Sequence, residues 1–191
     1  MPRTAWTTRS EQCTRRSDRL RQTRGSCVGF PGTSRCFGRG WHRFEDVPAT
    51  VEHAQRALEL ALDDDHVVRA GAAGLLGIAF WTGGELGAAH RAWSECVARL
   101  ERAGHVSDAL GATLALGDIC MVQGCLSDAL GADERALALV PEQSRALVRG
   151  TADMYAAMSE VFRERNDLQG ARRLLLESQE LGEHAAMPQH P

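Results

Sequence analysis

The pentad Gly25-Ser26-Cys27-Val28-Gly29 has the spacing of a nucleophile elbow, in which a strained turn between a strand and a helix exposes the central nucleophile. That turn needs a buried strand before it. The polar run Leu20-Arg21-Gln22-Thr23-Arg24 is not one, so the match reads as coincidence and no catalytic residue is assigned. Cys13, Cys27, Cys36 and His42 are side chains that bind zinc, but they lack the short paired spacing of structural zinc sites. Asp63-Asp64-Asp65-His66 gathers three carboxylates and an imidazole without the alternating ligands of a calcium loop. Carboxylates just before a helix serve ordinary capping and macrodipole chemistry. A non-enzyme without metal or cofactor is the expectation.

Residues 1–44 carry ten arginines against Glu11 and Asp18. Guanidinium groups pair bidentately with phosphates, and Trp6, Phe30, Phe37 and Trp41 could stack on bases. A segment without a period of 2 or 3.6 more simply reads as solvated and of low order, so nucleic acid is not an expected partner. The net charge of −3 hides this asymmetry, because the remainder is acidic. All basic residues are arginine, so the chain has no lysine for the β/γ-phosphate contact of a P-loop. No apolar run approaches the roughly 18 residues of a membrane span, and the start lacks the apolar core of a secretory signal. These features predict a cytoplasmic protein without a membrane partner. The six cysteines form no CxxC pair, and Cys96, Cys120 and Cys125 fall at repeat positions, which favours reduced thiols.

What must position any site is a repeat. Leu76-Gly77, Gly84, Leu86 and Ala89 return 40 positions later as Leu116-Gly117, Gly124, Leu126 and Ala129. They return again, 42 positions further, as Met158-Ser159, Asn166, Leu168 and Ala171. A period between about 20 and 50 residues marks a solenoid whose units bury their apolar faces only by stacking. Each unit reads as a helical hairpin. Helices are expected from Glu45 to the Asp63-Asp64-Asp65 run, over 66–82, 85–102, 106–123, 126–140, from Ser144 to Arg165, and over 168–183, with Asp64 or Asp65 and Asp167 as N-caps. Gly71, Gly74 and Gly77 share a helical face and predict close packing, and Trp93 reads as core. The domain reading is an Arg-rich segment 1–44, a repeat domain 45–187 and an irregular tail 188–191.

These residues resemble the tetratricopeptide repeat, with a Leu-Gly pair, a glycine seven residues on, then an apolar residue, an alanine and a closing proline. Leu116-Gly117, Gly124, Leu126, Ala129, Ala136 and Pro141 carry the likeness best. The fold implied is an all-α, tetratricopeptide-like α-α superhelix with helices longer than usual. More narrowly, Ala70-Gly71-Ala72-Ala73-Gly74-Leu75-Leu76-Gly77, Arg102-Ala103-Gly104-His105, Arg149-Gly150-Thr151-Ala152-Asp153-Met154-Tyr155 and Glu164-Arg165-Asn166-Asp167-Leu168 resemble the repeat region of large ATP-binding LuxR-type regulators. That resemblance implies a non-enzymatic sensor module that binds an inducer or a protein or peptide, here as a truncated or frame-disrupted fragment. A free-standing adaptor scaffolding other proteins is the rival reading, and a vestigial product the third. In such stacks the first helix of each unit lines a concave groove. Carried over, the groove positions are Ile78 and Trp81, Asp118 and Met121, and Glu160 and Arg163. Incomplete terminal units would leave apolar faces that favour self-association.

Overall fold

The computed structural model describes residues 47–182 and 185, and the expected low-order segment 1–44 and tail 188–191 lie outside them. Seven α-helices are found among the described residues, and no strand. They are α1 (Val47–Leu60), α2 (His66–Thr82), α3 (Leu86–Ala103), α4 (Val106–Val122), α5 (Leu126–Leu137), α6 (Thr151–Glu164) and α7 (Leu168–Leu181). Each helix packs against its chain neighbours, and α4 also meets α6. The result is the expected all-α stack of hairpins α2/α3, α4/α5 and α6/α7, with α1 covering the first.

The three hairpins close in the same way, which is why the repeat survives its two-residue insertion. Gly84, Gly124 and Asn166 occupy one place in the period and take φ of 74°, 72° and 60°. Glycine adopts that left-handed backbone without strain, and asparagine is among the few other residues that tolerate it. The turn lets the next amide reach back: Glu85 N–H donates to Phe80 O at 2.7 Å, Cys125 to Cys120 at 2.8 Å, and Asp167 to Phe162 at 2.9 Å. The second helix then starts at once. Asp65 and Asp167 cap α2 and α7 as expected, their Oδ1 atoms accepting from Val68 N–H at 3.1 Å and Gly170 N–H at 2.8 Å. Helix α4 has His105 at its N-cap position, without a side-chain cap bond.

The expected helix from Ser144 to Arg165 is corrected. A single 3-10 turn at Glu142–Ser144 is followed by turns, and α6 begins only at Thr151. Gly150 breaks the run: its φ of 97° cannot continue a right-handed helix, and its N–H donates to Ala185 O at 2.7 Å. Helix α5 also ends earlier than expected, at Leu137, and α7 ends at Leu181 where Gly182 turns to φ 73°.

The core runs between the hairpins. Trp93, Cys96 and Leu100 of α3 pack with Ala70 and Ala73 of α2 and Ala112, Leu116 and Ile119 of α4. Leu110 joins Leu137, Met154 and Met158, linking the second and third hairpins. Glycine permits close approach between paired helices: a Cβ on Gly77 would lie 2.6 Å from Trp93 Nε1. Gly74 has Cys96 Sγ at 3.5 Å, whereas Gly71, expected on the same packed face, is exposed with nothing within 4 Å. Cys96 and Cys120 are free and buried, but Cys125 is disulfide-bonded, contrary to the expectation for all three.

Candidate functional site

The first helices α2, α4 and α6 end in equivalent turns, so their last two windings present equivalent positions. Gly84, Gly124 and Asn166 donate their amides to the carbonyls of Trp81, Met121 and Arg163, each at 2.9 Å. The six residues expected to line a groove therefore share one register. Ile78, Trp81, Asp118 and Met121 are half-buried, and Glu160 and Arg163 are exposed. Ile78 and Trp81 lean on the first core cluster, and Met121 leans on Cys120, Ala129 and Val161. Arg163 Nε donates to Glu160 at 2.8 Å and Nη2 to Glu164 at 2.7 Å, so this guanidinium already sits between two carboxylates.

Asp118 is the half-buried acid among these six residues. Burial pushes its carboxyl up to about 6, and the negative charge of Glu160 on α6 adds to the rise. The rise comes from loss of water around the charged form and a like charge nearby. A half-buried carboxyl of this kind is a strong acceptor for a donor brought in from outside.

Behind it lies a residue that reading the sequence missed. Asp133 of α5 is 1% exposed, and its Oδ1 makes no hydrogen bond. That oxygen would lie 3.3 Å from a Cβ on Gly117, the residue before Asp118. Burial, then the charge of Asp118, pushes the Asp133 carboxyl up to about 8. The signal was readable: Asp133 stands 40 positions after Trp93, as Gly117 does after Gly77, so an acid occupies a place where the preceding unit has an indole.

The other early candidates resolve into structure. Asp65 caps α2; Asp63 pairs loosely with Arg69 at 3.6 Å, and its carbonyl accepts from Arg99 at 2.9 Å. No group of three or more His, Cys, Asp or Glu side chains among the described residues is arranged to hold a metal ion. No helix among them is long and apolar enough to cross a membrane. The pentad at 25–29 and the cysteines at 13, 27 and 36 with His42 lie outside the described residues.

Comparison with curated proteins finds no match. Comparison with protein families finds the MalT-like TPR region, matching residues 43–190, which takes in all seven helices and the three hairpin turns. With the fold, the period and most of the chain in agreement, this chain belongs to the family of MalT-like TPR regions.

Proposed function

We propose that this chain is a non-enzymatic binding module that uses the aligned ends of α2, α4 and α6 to take a ligand or a protein segment. The observation that carries the reading is the half-burial of Ile78, Trp81, Asp118 and Met121 in one register on successive first helices. Indole, thioether and a partly dehydrated carboxyl together suit a polar ligand with apolar faces, such as a sugar or a peptide. Glu160 and Arg163 extend the face as a charged rim. Family membership supports the module's origin in the sensor region of a LuxR-type regulator working in the cytoplasm. Translating the flanking DNA in all frames tests that origin: a P-loop module upstream and a helix-turn-helix downstream support it, and clean intergenic sequence on both sides favours a free-standing adaptor.

The binding face is tested by replacing Trp81, Asp118 and Arg163 together with Ala. Helical content by circular dichroism is expected to stay unchanged while binding of a wild-type partner, found by screening oligosaccharides and peptides, is lost. Unfolding of that variant would place these residues in the core and sink the assignment. Self-association through the ends of the stack is a further part of the proposal. Leu168, Leu175 and Leu176 of α7 are 62%, 47% and 47% exposed, with no eighth helix among the described residues to cover them. Light scattering is expected to show mass rising with concentration, and a strict monomer at high concentration would count against it.

A further inference from the structure

Asp133 occupies a packing position, not a solvated one. In the first hairpin that position holds Trp93, whose indole lies over Gly77; in the second, Asp133 lies over Gly117 in the same way. It is 1% exposed, and Oδ1 makes no hydrogen bond. A neutral carboxyl can stay in such a seam at modest cost, whereas a carboxylate there loses its hydration without a matching gain.

We propose that Asp133 is a proton-operated wedge: neutral, it fills the seam over Gly117 and holds α4 against α5; ionised, it must leave the seam and loosens the hairpin that carries Asp118 and Met121. The proposal stands whether or not that face binds a ligand. The charged and titratable groups facing Asp133 point the same way. Asp118 and Cys120 face it from α4, and Glu160 on α6 acts on Asp118 in turn. On its own helix, Glu134 opposes its ionisation and Arg135 favours it, and the balance still leaves its carboxyl at about 8.

The direction of the effect is fixed by linkage. A carboxyl whose folded pKa lies above its unfolded value keeps a proton that the unfolded chain gives up. Its stabilisation is therefore complete below the ordinary value of 3.8 and is lost as pH rises through about 8. Other groups are separable. Burial lowers His90, with Asp128 opposing and Arg91 reinforcing, so its effect has the opposite sign and ends above its ordinary 6.5. Cys96 and Cys120, raised to about 11 and about 12, begin to destabilise only near their unfolded value of 9.0. Asp118, raised to about 6, has ended its contribution below pH 7, so among the described residues the window from pH 7 to 8.5 isolates Asp133.

The test follows the thermal midpoint of the full chain from pH 5.5 to 8.5 for the wild type and for Asp133→Asn. The wild-type midpoint is expected to fall by several degrees between pH 7 and 8.5, and that of the variant to stay flat there. A second measurement needs no variant: carbon-detected NMR of the wild type should show an aspartate carboxyl titrating well above Asp118, itself raised to about 6, with amide exchange in α4 and α5 rising ahead of α2 and α3 once corrected for intrinsic pH dependence. Parallel midpoint curves for both proteins would overturn the proposal. So would every aspartate titrating at or below about 6, or equal loosening in every helix.

Discussion

Gly77 and Gly117 are the same residue in successive repeats, yet they are held for different reasons. Over Gly77 lies a rigid indole, with Trp93 Nε1, Cδ1 and Cε2 between 2.6 and 2.9 Å from where a Cβ would sit. Over Gly117 lies a short carboxyl at 3.3 Å. Added to Gly77, a methyl group meets a buried side chain that cannot swing away, and overpacking of this kind costs about 1–3 kcal/mol. At Gly117 the carboxyl needs to give by only a few tenths of an ångström. Gly77→Ala is therefore expected to lower the urea midpoint clearly and Gly117→Ala much less. Equal losses would mean that helix spacing, not the facing side chain, sets the requirement.

At the scale of elements, the helix ends show what the sequence made legible. The capping aspartates Asp65 and Asp167 and the turn residues Gly84, Gly124 and Asn166 were readable because a local side chain or a local φ decides each of them. The stretch from Ser144 to Gly150 was misread because its outcome is not local. Its amphipathic pattern permits a helix, but Gly150 turns to φ 97° and bonds to Ala185, a residue 35 positions away. The equivalent turns set Ile78, Asp118 and Glu160, and Trp81, Met121 and Arg163, at matching positions of their helices, while the pairing of Arg163 with Glu160 and Glu164 was not foreseen. The local signals carry a testable energy. Removing an N-cap side chain costs about 1 kcal/mol. Asp167→Ala is expected to destabilise α7 by about that amount, seen as faster amide exchange at Gly170, with little change in α2.

For the whole molecule, the pattern of contacts makes the second hairpin the keystone of the stack. Helix α4 packs against α3 on one side, and α4 and α5 both pack against α6 on the other, while α1 and α7 each have a single neighbour along the chain. In a solenoid, stability is the sum of unit terms and nearest-neighbour interfaces, so damage at the centre removes two couplings and damage at an end removes one. Leu110 of α4 is fully buried among Leu137, Met154 and Met158, and its truncation to Ala is expected to cost about 2–5 kcal/mol. Leu176 of α7 is 47% exposed, and its truncation should stay within about 0.5 kcal/mol. The shape of the denaturation curve should separate a chain of coupled units from one indivisible core. Leu110→Ala should flatten the urea transition as well as shift it, because α2/α3 and α6/α7 then unfold at different midpoints, and a smaller m-value reports that loss of two-state behaviour. An unchanged slope with a shifted midpoint would instead mean that all three hairpins unfold together even after their central interface is weakened.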